Sequence, residues 1–463
     1  MISKHGGPGK EAKGESGFTM VTVPRTRWAL LALLFFGAVL LFFCPSFSNY
    51  FVCDDYEFLG RINLHNAGDY FLKSWGYGNE YRPLLVYTYA LNGALGAFHP
   101  AGYHLVNTAL HALNGILLAL ILELLGFPPI AALLAAVLFV LNPVAHESVL
   151  WIAGRPVVLS TLFILLSIWS FLKAVARPQR SAIYFAGMYA AFVLALLVYE
   201  GAAVVPFLIA LLGGIPNLRR HRWQMVGLLG VLLAYLVFWN VLFGFRITRF
   251  PTEHSFAAAL SSLRNAAENS FHGSGRLWAA PLYLGLLWFA LREKAGRIVL
   301  LLASGWFLLA YTPFLVVHGY ADRFSYLGSA AMAAVLAYCL AAISRANAWA
   351  GRMAALALIL FYAIGMQHRI ATWAEAGEIA RSIVAEVKQA RPSLPQGATL
   401  ILLDAPLTYK QASVFITGLE RAVALQYPNT RLLILRRTRA DAPRPVAVFA
   451  YRDGHMRETA FLP

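Results

Sequence analysis

Apolar runs of membrane-spanning length recur from Trp28 to Met366 with only short polar turns between them, a rhythm that predicts a polytopic helical body. The first span runs from about Trp28 to Cys44, and a long polar and aromatic stretch follows to about Pro100. Within that stretch, Arg82 to Phe98 is apolar enough to lie along the membrane surface or to dip into it. Further spans are expected at about 102–125, 129–142, 157–174, 183–198, 202–215, 224–243, 277–291, 298–317, 326–343 and 353–366, about eleven in all.

The pattern changes after Met366, where Arg381, Glu386, Lys388 and Arg391 lead into soluble-looking sequence. Short strands are expected at Thr399–Leu403, Arg431–Leu435 and Val446–Tyr451, with a helix at Tyr409–Leu425 between the first two. This appendage has no phosphate-binding glycine loop, zinc spacing or nucleophile elbow, and reads as a packing or substrate-gripping lid. The fold class is therefore an all-α polytopic membrane protein with a small C-terminal α/β extramembrane domain. Its expected divisions are a disordered cytoplasmic tail (1–27) before an uncleaved anchor, a transmembrane body (28–369, with its first outward loop at about 45–101), and an α/β domain (370–463).

The 463 residues are 59% hydrophobic and 13% charged, with mean hydropathy +0.61, which excludes a disordered chain and a wholly soluble one. The net charge of +16 is explained by the membrane. Basic clusters at Arg25/Arg27, Lys173–Arg180, Arg219–Arg222, Arg292–Arg297 and Arg345/Arg352 fall in alternate connections, all on one side of the expected topology. That places the N-terminus in the cytoplasm and the C-terminus outside. No nucleic-acid-binding motif is present, and anionic lipid is the partner this charge implies. Cys44, Cys53 and Cys339 are too few for a disulfide framework; they read as free thiols, with a Cys44–Cys53 pair the alternative.

Laid over this topology, Asp54, Asp55, Glu57, His146, Glu147, Glu200, Asp322 and Arg323 all fall outside, near the membrane boundary, while the middles of the spans are almost free of ionisable groups. An ion-coupled transporter concentrates charge at the midplane, so the pattern favours an outward-facing active site fed from the membrane. Two adjacent carboxylates, Asp54 and Asp55, suit a base that takes a proton from an acceptor hydroxyl beside a partner that orients it, or a ligand pair for a divalent metal such as Mg or Mn. Without metal no cofactor is implied. Arg82, left at the mouth of an apolar helix opened by Pro83, suits a phosphate or a lipid headgroup. His146 and Glu147 suit either a hydrogen-bonded site pair or a capping turn.

Five motifs then occur in order: Asp54-Asp55, Tyr81-Arg82-Pro83-Leu84, Gly102-Tyr103-His104-Leu105-Val106-Asn107 with His111, Asn142-Pro143-Val144 with His146-Glu147, and Trp151-Ile152-Ala153-Gly154-Arg155. Over roughly residues 50–370 the chain resembles the membrane half of the TMTC-type protein O-mannosyltransferases and their bacterial relatives, which are class C (GT-C) glycosyltransferases. Tyr199-Glu200-Gly201 resembles the family's Lys-Glu-Thr segment, and Asp322-Arg323-Phe324-Ser325-Tyr326-Leu327 resembles its Glu-Arg-Tyr-x-Tyr-Leu segment. Where the family reads His-Pro-Val-His-Thr-Glu, this chain reads Asn142-Pro143-Val144-Ala145-His146-Glu147, and no 34-residue repeat follows Met366.

The resemblance implies a hexosyltransferase that uses a polyprenyl-phosphate sugar, such as an undecaprenyl phosphate sugar, and inverts the anomeric centre. It implies Asp54 as base with Asp55 as its partner, and Arg82, Arg323 and Arg155 as the positive charge for the donor phosphate. It places His146, Glu147, Glu200 and Tyr81 at the sugar or acceptor, with pairing to an arginine the alternative for Glu200. The acceptor is a glycan or a protein, and the short tail resembles bacterial members, so the expected location is an inner membrane with a periplasmic C-terminus. A transporter or flippase of lipid-linked glycans and a non-catalytic scaffold are the competing readings.

Overall fold

Proline opens three helices of the body, at Pro83, Pro100 and Pro129, where its missing amide costs no intrahelical hydrogen bond. The computed structural model of the chain describes residues 25–74, 80–96, 99–244, 256–272, 287–288, 291–317, 320–437 and 443–462. Apart from single turns, its helices are α1 (Arg25–Phe43), α2 (Pro83–Gly96), α3 (Pro100–Leu124), α4 (Pro129–Leu141), α5 (Arg155–Ala176), α6 (Ser181–Leu196), α7 (Val205–Arg220), α8 (Arg222–Phe243), α9 (Phe256–His272), α10 (Lys294–Val317), α11 (Tyr326–Ala346), α12 (Ala348–Ala390) and α13 (Leu419–Ala424).

Among the described residues, eight helices are long and apolar enough to cross a membrane, and α4 with the bent turn after it makes a ninth if the pair is one span. The chain is an integral membrane protein. The segment expected at 183–198 is helix α6, only 16 residues long and packed on α5. The span expected at 277–291 falls mostly outside the described residues, as does the tail before Arg25.

Small side chains let the central helix approach its neighbours closely. Helix α11 is buried along Gly328, Ala330, Ala331, Ala333, Ala334 and Ala337, and a Cβ on Gly328 would lie 2.8 Å from the Phe307 ring of α10. Leu33 and Leu41 of α1, Leu233 and Val241 of α8, Leu301 of α10 and Ile364 of α12 are exposed instead, as lipid-facing positions require. None of the three cysteines is in a disulfide, and Cys53 and Cys339 are buried.

Helix α12 has 43 residues, about 65 Å at 1.5 Å per residue, twice the hydrocarbon thickness. Its apolar first half is the last span, and its second half continues without a break past Met366. The domain boundary expected at 370 therefore falls inside a helix, and the α/β unit proper begins at Thr399.

That unit holds strands β1 (Thr399–Leu403), β2 (Thr408–Tyr409), β3 (Ala412–Ser413), β4 (Leu433–Leu435), β5 (Val446–Arg452) and β6 (His455–Leu462). The main sheet has order β4-β1-β5-β6, parallel except for the β5–β6 hairpin. Where sequence predicts a helix at Tyr409–Leu425, the chain forms the β2–β3 ribbon and only α13. The early part cannot be helical because Lys410 and Gly418 both have positive φ. An ion pair from Arg391 to Glu458 at 2.6 Å and a hydrogen bond between His455 Nδ1 and Glu386 at 2.7 Å fix the sheet to the end of α12.

Candidate active site

Hydrogen bonds between distant segments bring the site residues to one end of the bundle. The Leu84 amide donates to Leu197 O at 3.1 Å, Asn142 Nδ2 to Ser270 O at 2.6 Å, the Ala153 amide to Asp55 Oδ1 at 2.8 Å and the His104 ring to Asn49 O at 3.1 Å. The loops after α1, α4 and α6, the start of α2 and the loop before α11 therefore share that end. The second half of α12 joins them, since Gly377 lets the backbone of Tyr50 lie directly against the helix.

The two adjacent carboxylates do different things. Asp55 is 1% exposed and accepts from the Val52 and Ala153 amides at 3.0 and 2.8 Å, so it clamps the loop after α1 onto the turn before α5. Burial pushes its carboxyl up to about 8 against the opposing pull of those amides. Its expected role as a catalytic partner in contact with substrate does not fit this burial. Asp54 is only half-buried and its Oδ1 accepts from the Thr417 hydroxyl of the C-terminal unit. Burial and then the Asp54 charge push the neighbouring Cys53 thiol up to about 11, keeping it protonated. The described residues gather no group of three or more His, Cys, Asp and Glu that could hold a metal ion. With Asp55 spent on two amides, the expected metal pair of Asp54 and Asp55 does not form a donor set among the described residues.

Arg323 lines a cleft between helices, and Arg82 lies against Tyr199, one of its walls. Arg82 is bidentate on Glu200, at 2.6 and 3.0 Å, with Glu80 at 3.4 Å, and its guanidinium covers the Tyr199 ring at 4.7 Å. The alternative role for Glu200, pairing with an arginine, is the one this geometry presents. Arg323 is held by Glu147, which accepts from its side chain and from its backbone amide, and it lies over Trp151 and Phe324 with a third of its side chain exposed. Burial raises the Tyr199 phenol, while Arg82 and Arg323, both near enough to act on it, oppose that rise. Tyr199 and Arg323 line a narrow cleft whose other walls are Val157, Thr161 and Ile164 of α5, Ala310 and Phe314 of α10 and Leu327 of α11. Its walls are mainly apolar, and Arg323, paired with Glu147, stands at its rim. Burial raises the Tyr89 phenol, and its ring stacks on Phe58, three residues after Asp55, at 4.0 Å, so the carboxylate loop packs on α2, the helix that begins just after Arg82.

His146 is 2% exposed, with Nε2 2.7 Å from Asp322 Oδ2 and Nδ1 2.8 Å from the indole nitrogen of Trp373. Asp322 also accepts from the Tyr320 hydroxyl and from Asn269 Nδ2 at 3.1 Å. Neither ring nitrogen is left for a sugar or acceptor, so the expected contact becomes a positioning one: His146 ties the turn after α4 to the loop before α11 and to α12.

Two other expectations are corrected. Arg155 is fully buried, bonded through Nε to Asn107 Oδ1 at 2.8 Å and through its terminal nitrogens to Thr88 O and Tyr103 O at 3.3 and 3.2 Å. It stitches α2, α3 and α5 together and cannot reach a donor phosphate. Tyr81 is 4% exposed among Tyr235, Phe238 and Phe243, with its hydroxyl 3.3 Å from Phe71 O, so it packs rather than binds sugar. Sequence reasoning missed Trp373, Tyr320, Asn269 and Thr417. Tyr320, two residues before Asp322, was the one with a local signal.

No protein-family model matches the chain. ArnT from Cupriavidus metallidurans, solved bound to undecaprenyl phosphate, superposes with a TM-score of 0.51 over 93% of this chain and 94% of ArnT at 13% identity. The arabinofuranosyltransferase AftD from Mycobacteria gives 0.54 over 90% of this chain and 32% of its own, at 14% identity. The chain has the GT-C glycosyltransferase fold. The sequence likeness covers less: protein O-mannosyl-transferase TMTC4 of Homo sapiens is 33% identical over 180 residues, and TMTC2 of Mus musculus 37% over 127. Those matches take in 33% and 27% of this chain, but only 24% and 14% of the relatives, so the chain spans about a quarter of their length or less.

Proposed function

We propose that the chain is an inverting membrane glycosyltransferase that moves a sugar from a polyprenyl-phosphate donor to a hydroxyl of an acceptor outside the membrane, a surface glycan, a lipid-linked glycan or a protein. The observation that carries this reading is Arg323 at the rim of an apolar interhelical cleft, with Arg82 over the Tyr199 ring that forms one of its walls and Asp54 at the same end of the bundle. The GT-C fold and ArnT's bound undecaprenyl phosphate support a lipid donor lying between helices with its phosphate at that rim. In this reading the N-terminus is cytoplasmic and the site faces the periplasm of a bacterial inner membrane.

Asp54 takes the proton of the acceptor hydroxyl as the oxygen attacks the anomeric carbon. The new carbon–oxygen bond forms as the bond to the phosphate oxygen breaks, and its electron pair leaves on the phosphate. The leaving group is stable as an anion, so the demands on the protein are orientation, one base and positive charge beside the phosphate. Arg323 is the better placed of the two arginines, because Arg82 is matched by Glu200 and Glu80 together. Asp55 acts by fixing the loop that presents Asp54.

Glycan and glycoprotein mass spectrometry of cells lacking the protein, complemented with wild type or Asp54→Asn at equal membrane levels, tests the proposal. The expected result is one sugar mass that wild type restores and Asp54→Asn does not. Full restoration by Asp54→Asn would move the weight to a transporter or scaffold.

A further inference from the structure

A second, open cavity of about 730 Å³ lies between the C-terminal unit and the turn that follows Asp54, and among the described residues the membrane body contributes Glu57 alone to its walls. Ile434 of β4 and the residues on either side of that strand, Leu432 and Arg436, line it at alternate positions, together with Glu420, Arg421 and Ala424 of α13. Its size is that of a small-ligand site. Two carboxylates and two guanidiniums stand in its walls, so their charges cancel. Arg436 is already bidentate on Glu420, at 2.7 and 3.2 Å, and donates to Phe415 O at 2.6 Å, which fixes both planar groups. Arg421 reaches Leu59 O at 3.3 Å. Such fixed, mutually neutralised edges suit a ligand that offers many hydroxyls and no net charge, and the aliphatic wall suits the C–H face of a sugar ring.

The position of the cavity supplies the second half of the argument. Thr417 lines it and donates to Asp54 Oδ1, so one side chain touches both the cavity and the carboxylate. The approach is held by backbone: the Cys53 amide donates to Val414 O at 2.8 Å, and Gly418, at φ 79°, lies so close to the Cys53 carbonyl that a Cβ would overlap it. We propose that this cavity is an acceptor subsite for a neutral oligosaccharide, whose terminal hydroxyl is handed across Thr417 to Asp54. The proposal rests on the transferase reading and narrows its acceptor to a glycan.

Saturation-transfer NMR on the full chain in lipid nanodiscs tests it, with maltotriose, cellotriose and mannotriose as probes and a Ser/Thr-containing decapeptide beside them. At least one trisaccharide should receive saturation. That signal should vanish in Ala424→Trp, which fills the cavity, and fall several-fold in Glu420→Gln, which keeps the shape and serves if the tryptophan variant unfolds. Undecaprenyl phosphate should still raise the unfolding temperature of both variants. Saturation of the decapeptide alone, of no trisaccharide, or of a trisaccharide equally in both variants would overturn the subsite. Asp54→Asn separates the two proposals, because it should abolish transfer and leave trisaccharide binding intact; transfer that survives it removes Asp54 as the base, and a wild type without transfer defeats the transferase reading, neither of which touches the binding result.

Discussion

Trp373 donates its indole N–H to Nδ1 of His146 at 2.8 Å, and because an indole can only donate, the ring proton of His146 is fixed on Nε2, facing Asp322 at 2.7 Å. The histidine in a stretch that resembles a catalytic motif is thereby a three-way joint. Trp373→Phe should leave a buried acceptor without its donor and cost about 1–3 kcal/mol, read as a lower unfolding temperature in detergent. Histidine ¹⁵N spectra of the wild type should show the Nε2–H form; the Nδ1–H form would contradict the assignment.

Asp54 and Asp55 should separate in experiment. Asp54→Asn should lower transfer about 10²- to 10⁴-fold, the span of a lost general base, at unchanged unfolding temperature. Asp55→Asn should lower the unfolding temperature, since an amide retains only one of the two oxygens that hold Val52 and Ala153. Equal loss of turnover with equal stability in both variants would return Asp55 to the chemistry.

The Asp55 carboxyl also gives a pH signature. Burial holds it at about 8 in the folded chain against 3.8 ordinarily, so between those values the folded state keeps a proton that the unfolded state has released. The contribution of this carboxyl to stability should therefore be fully present below about pH 4 and be lost as pH rises towards about 8. Unfolding curves of wild type and Asp55→Asn should converge or cross with pH, and parallel curves would dismiss the effect.

Removing Arg323 and removing its counter-ion should act in opposite directions. Arg323→Gln should weaken binding of undecaprenyl phosphate by about 10- to 100-fold, the worth of a charged hydrogen bond. Glu147→Gln frees that charge and should tighten binding, with the amide oxygen still able to accept from the Arg323 backbone. Isothermal titration in nanodiscs reads both, and a loss in both variants would mean that the pair is purely structural.

Much of the body was legible because a span announces itself by length and hydropathy alone. What one sequence hides is which charge ends up buried. Arg155 follows a polar turn and looks like a rim residue, yet Asn107, Tyr103 and Thr88, from two other helices, enclose it. Trp373 stands 227 residues from His146 and reads as an interfacial aromatic beyond the last span. In the C-terminal unit, Gly418 was the visible sign that a helix over Tyr409–Leu425 could not be continuous. Asp453-Gly454, both at positive φ, was equally the sign of the β5–β6 hairpin that the strand reading omitted.

The unbroken α12 makes the distance between membrane and C-terminal unit a matter of residue count. One residue inserted after Gly377 would advance everything beyond it by about 1.5 Å and turn it by about 100°, swinging Thr417 away from Asp54. Four inserted residues would restore the facing and lift the unit by about 6 Å. The helix is thus a ruler and a phase-setter at once, and the spacing between the two halves of the site is written in its length.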